Sequence, residues 1–138
     1  MPHTSLNTPA ASAAGKARLA ALVFVVLWFA VGGVAHFAFT EAEMRIVPPW
    51  MPWPREVVWI TGILEVLGAA GLLWPRMRRA AGVGLFLLTV AVTPANVHML
   101  LHAQDFDIPF GLLVARLPLQ LLLLALIAWV SMRPTRNG

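Results

Sequence analysis

VVWITGILEVLGAAGLLW, residues 57–74, is an apolar run of membrane-spanning length with a single carboxylate, Glu65, near its middle. Pro75 and the arginines Arg76, Arg78 and Arg79 end it sharply. Three further runs have the same character. One is unbroken from Leu19 to Ala35 and stays largely apolar to Phe39, a second covers about residues 80–102, and a third about 110–131. Each is long enough for a helix to cross a hydrocarbon core of about 30 Å. None shows the alternation of a membrane β-strand. The expected fold is all-α: a four-helix transmembrane bundle with helices at about 18–39, 57–74, 80–102 and 110–131. The short connections after the second and third helices make neighbours antiparallel, in up-down order.

Composition agrees with lipid as the solvent. The 138 residues are 59% hydrophobic and 12% charged, with a mean hydropathy of +0.78. A sequence pI near 11.5 would suit nucleic acid, but the bases sit in short groups beside apolar runs, which is the pattern of membrane topology. Nucleic acid is therefore excluded as a partner, and the lipid bilayer is expected. The chain has no cysteine, which rules out disulfide exchange, thiolate-held iron–sulfur clusters and thioether-linked haem within it.

Residues 1–15 lack an apolar period and read as a disordered cytoplasmic tail, leaving 16–133 as the membrane domain. Lys16 and Arg18 before the first run also fit a signal peptide, but the run is longer than a usual signal core. Lys16, Arg18, Arg76, Arg78, Arg79, Arg133 and Arg136 fall on one side of the bundle. Arg45 and Arg55 on the other are offset by Glu41, Glu43, Glu56, Asp105 and Asp107. Both termini are expected inside. Trp50, Trp53 and Trp59 would mark the outer interface, and Trp74 and Trp129 the inner one. The stretch IVPPWMPWP, residues 46–54, is too rich in proline for a helix and too apolar for water, so it should lie over the outer mouth.

An ionised carboxylate at the centre of a membrane helix costs about 2.5–3.5 kcal/mol, so Glu65 needs a partner or a proton. Counting about 1.5 Å per residue from the outer ends places Glu65, Arg116, Asn96, His98 and His36 within about 5–12 Å of that surface. Four helices thus bring polar groups to one layer, with a Glu65–Arg116 ion pair as its expected centre. Gln120 shares the face of Arg116, and Thr89 and Thr93 share that of Asn96. Small residues flank Glu65 and His36, which directs both toward neighbouring helices. A structural pair that fixes helix register accounts for Glu65 and Arg116 about as well as a binding site does. His98 and His102, at i and i+4, are candidate metal ligands with His36 or Asp105, although interfacial histidines are commoner. Pro94 and Pro118 should each interrupt a helix.

GVAHF (Gly33–Phe37), IVPPWMP (Ile46–Pro52), TGILEVLGAAGLLWP (Thr61–Pro75), TPANVHM (Thr93–Met99) and RLPLQ (Arg116–Gln120), in that order, resemble the DoxX-like family of small bacterial membrane proteins. The resemblance implies a four-helix bundle in the bacterial inner (cytoplasmic) membrane, with His36, Glu65, Asn96, Arg116 and Gln120 as the patterned polar residues. It further implies an accessory subunit of a membrane oxidoreductase, working with a protein partner or as a homo-oligomer. A quinone-type ligand would then sit in the outer half, its carbonyls met by Arg116, Asn96, Gln120 and His36 while Glu65 relays a proton. No cofactor is fixed by the residues alone. The competing expectations are a non-catalytic membrane chaperone or assembly factor, and a small transporter.

Overall fold

The structure is a computed structural model that describes residues 9–132. It contains α1 (Pro9–Ala38), α2 (Thr40–Met44), α3 (Pro54–Leu73), α4 (Arg78–Ala91), α5 (Thr93–Leu101), a 3-10 turn at Ala103–Asp105, and α6 (Phe110–Met132). No strand occurs among the described residues. Four helical spans, Pro9–Ala38, Pro54–Leu73, Arg78–Leu101 and Phe110–Met132, are long and apolar enough to cross a membrane, which makes this a multi-pass membrane protein. α1 packs on α3, α3 on α4, α4 on α6, and α6 closes back on α1. Large apolar side chains such as Leu27, Val31, Leu67, Leu87 and Leu121 stay exposed around the perimeter, where lipid replaces water.

α1 starts earlier than composition suggests. Pro9–Gly15 is helical rather than a tail, because alanine has the best helix propensity and proline fits the first turn. Residues 1–8, the rest of that expected tail, lie outside the described residues, as do Arg133 and Arg136. α3 likewise begins at Pro54, whose missing N–H costs nothing in a first turn. The residue before a proline avoids the right-handed helical region, and Trp53 turns into α3 with φ 53° and ψ 59°.

The half of the bundle nearest the arginine turn is closed. Val25, Phe29, Ala69, Leu72, Leu85 and Ile127 form its buried core. Small residues bring the backbones together: a Cβ on Gly71 would stand 2.7 Å from that of Ala81, and one on Gly82 would collide with Ser131. A second close crossing joins α1 to α3. A Cβ on Gly33 would lie 2.8 Å from the Gly62 carbonyl oxygen, and one on Gly62 would lie 2.9 Å from that of Gly33. Beyond this crossing the half nearest the Ile46–Trp53 strap opens. The third span breaks at Val92, immediately before Thr93 and Pro94, and resumes as α5 against α6. Pro118, by contrast, does not interrupt α6, which runs continuously through it.

Candidate functional site

Between the two α1–α3 and α5–α6 walls lies a cavity of about 830 Å³. Its size is that of a small-molecule site. Most of its wall is apolar, from Phe24, Leu27, Trp28, Val58, Leu88, Leu119 and Leu123. Ile46, Val47, Pro48, Trp50 and Met51 of the strap line it as well. The strap is held from both sides: Arg55 meets Glu41 at 2.6 Å, Trp59 Nε1 donates to the Thr40 hydroxyl at 3.2 Å, and Arg45 donates to the Asp105 carbonyl at 3.2 Å. His36, Glu65, Asn96, Arg116 and Gln120 all line this one cavity.

The polar residues divide into two groups. On one wall His36 Nε2 stands 3.4 Å from Glu65 Oε1, one helical turn from the Gly33–Gly62 crossing that lets the helices approach. Gly32 keeps space for the carboxylate, since a Cβ there would meet Glu65 Oε2 at 2.8 Å. The other imidazole nitrogen, Nδ1, is buried without a hydrogen bond and faces Glu43 Oε2 of α2 at 3.9 Å. Glu43 is the site residue that sequence reasoning missed. Counted as one of several acids balancing Arg45 and Arg55, it lies seven residues, two helical turns, after His36.

On the opposite wall, α5 and α6 are stapled by amides. Asn96 Nδ2 donates to Gln120 Oε1 at 2.6 Å, and Gln120 Nε2 donates to the Thr89 carbonyl at 2.9 Å and to the Thr93 hydroxyl. Gln120 therefore satisfies backbone at the break in the third span, and both of its amide atoms are engaged within the protein. Arg116 stands apart from this network. Its Nη1 donates to Met99 Sδ at 2.9 Å, and among the described residues there is no ion pair between Arg116 and Glu65. Depth along the helix axes places these two in one layer, but they lie on different walls with the cavity between them. The expected central ion pair is thus replaced by a His36–Glu65 pair and a separate guanidinium.

His98 and His102 stack with ring centroids 4.2 Å apart, and the Nδ1 of His102 lies 3.0 Å from the His98 carbonyl. Neither His36 nor Asp105 joins them, and no cluster of three or more His, Cys, Asp or Glu suited to a metal occurs among the described residues. They cap the end of α5 instead of forming a centre with His36.

Fold and geometry together define a four-helix, multi-pass membrane protein with a cavity of divided polarity among its helices, lined in part by the strap. The chain belongs to the family described as Domain of unknown function (DUF8561), whose model matches residues 25–132. The DoxX-like resemblance is thereby corrected: no match to that family is found, and the matching family takes in most of the chain. Short motifs of Gly, Pro and a few polar residues on apolar helices recur wherever small bundles solve the same packing problem, so they specify the fold better than the family. No curated protein and no solved structure matches the chain.

Proposed function

We propose that this protein binds an amphipathic carbonyl compound of the quinone class in its strap-side cavity. The observation that carries this reading is a largely apolar chamber into which Arg116, with no carboxylate partner among the described residues, and a His–Glu pair face from opposite walls. Arg116 supplies donors to one carbonyl, and the His36–Glu65 pair exchanges a proton at the other end of the head group. The apolar wall accommodates the ring and the start of a tail. Asn96 and Gln120, engaged with each other, set the shape of the chamber rather than hold the ligand.

In this reading the protein is the ligand-holding subunit of a membrane oxidoreductase. Its residues offer no thiol for electron transfer, so a partner would carry the electrons. The basic residues at the arginine turn and before α1 support a cytoplasmic membrane location with both termini inside. Mild extraction followed by organic-phase analysis of the bound fraction tests the proposal. Quinone should accompany the wild type and be lost from Arg116→Ala and Glu65→Ala. Repeated absence of quinone from well-folded wild type would overturn it.

The amide staple favours a second reading, an assembly factor whose polar residues fix helix register alone. That reading requires a folded Glu65→Gln, Arg116→Gln double variant to retain full function.

A further inference from the structure

At the opposite end of the bundle a smaller crevice of about 200 Å³ lies among the ends of α1, α4 and α6, lined by Gly15, Arg18, Leu19, Leu22, Arg78 and Val130. Its chemistry differs from that of the strap-side cavity. Two half-buried arginines flank it, each tied to the last turn of another helix: Arg18 Nη2 donates to the Val130 carbonyl at 3.2 Å, and Arg78 Nε donates to the Leu72 carbonyl at 2.7 Å. These bonds complement the negative carbonyl ends of α6 and α3 and also hold two guanidiniums in fixed positions. Arg78, bonded through Nε, lines the crevice, and a guanidinium fork matches the oxygens of a phosphate. Below the arginines, Leu19 and Leu22 give an apolar wall continuous with the lipid-facing surface of α1, where Leu19 is 61% exposed. A site with cationic groups at its rim and an apolar wall beneath suits a molecule with a phosphate above and a hydrocarbon chain below.

We infer that this crevice binds the phosphate of an anionic membrane lipid, with Arg18 and Arg78 as the headgroup ligands and the Leu19–Leu22 face of α1 against the first methylenes of a chain. The site is independent of the quinone reading and stands whatever the strap-side cavity holds. Its ligand is a lipid of the surrounding leaflet and not a soluble phosphate, because only a lipid uses the apolar wall.

Native mass spectrometry of protein released from mixed phosphatidylglycerol and phosphatidylcholine bilayers tests it. Wild type should retain phosphatidylglycerol selectively. The Arg18→Gln, Arg78→Gln double variant should lose that selectivity by about 30-fold, from roughly fivefold per basic group at a membrane surface. Arg76→Gln with Arg79→Gln, in the same turn but outside the crevice, should retain most of it. Equal losses in the two double variants would overturn the site in favour of a diffuse basic surface. Hydrogen exchange on the wild type needs no variant to fold: phosphatidylglycerol should protect residues 15–22 and 76–82 and leave the strap unchanged. Uniform protection, or equal protection by inorganic phosphate alone, would contradict a lipid site.

Discussion

The two halves of this bundle use the same four spans to opposite ends. Near the arginine turn, Val25, Leu72, Leu85 and Ile127 are buried together where glycines let the helix backbones meet. Near the strap, the same helices part around a cavity of about 830 Å³. The division lies at two places: the Gly33–Gly62 crossing, beyond which α1 and α3 present His36 and Glu65, and the break at Val92, where α4 gives way to α5. In lipid no hydrophobic gain drives one helix against another, so contact depends on packing and on polar groups that find partners. The closed half relies on the first of these, and the open half on the second.

The largest effect should come from destroying the boundary itself. Gly33→Leu forces a side chain into the Gly62 carbonyl and Val66, which lie 2.8 and 2.7 Å from its Cβ position. A loss of about 3 kcal/mol or more is expected, read as disappearance of the cooperative unfolding transition in detergent. Next comes the closed core. Leu72→Ala, at a fully buried position, should cost about 2 kcal/mol, the low end for such truncations because lipid replaces water in the reference state. Leu119→Ala on the cavity wall should cost well under half as much in the same melt, and equal costs would erase the contrast between the halves. Gln120→Leu removes the amide that serves Thr89, Thr93 and Asn96, with an expected loss of about 1–2 kcal/mol and faster hydrogen exchange around Val92. The smallest stability effect belongs to Arg116→Gln, within about 0.5 kcal/mol. The same change should weaken quinone binding about tenfold or more, as expected for loss of a charged donor, measured by equilibrium titration. A variant that lost stability and kept binding would reverse the roles given to Gln120 and Arg116.

Much of this division was legible in the residues. Long apolar runs define the spans because a bilayer imposes one length on every helix. Proline sets the strap, and Pro94 marks the place where the third span breaks. Pro118 shows the limit of that reasoning: a proline removes a donor, yet α6 continues through it. Depth put Glu65, His36, Asn96, Arg116 and His98 in one layer; the first four line one cavity together with Gln120, which helical spacing placed on the face of Arg116, whereas His98 does not line it. Partner choice was not legible, because residue spacing fixes an angle around one helix but not the separation between helices. Glu65 therefore stands by His36 rather than Arg116, and Glu43 enters the site because α2 carries it to His36 Nδ1. The Asn96–Gln120 bond depends on the turn at Val92, which no sequence period encodes.

Tryptophan fluorescence gives the most direct test of ligand binding in the open half. Trp28 and Trp50 line the cavity, while Trp74 follows the end of α3 near the arginine turn and Trp129 lies close to the end of α6. Titrating the purified protein with a short-chain quinone should quench part of the emission saturably, and that part should vanish in a Trp28→Phe, Trp50→Phe variant. Quenching that rises linearly without saturation, or that persists unchanged in the double variant, would contradict a quinone site between these walls.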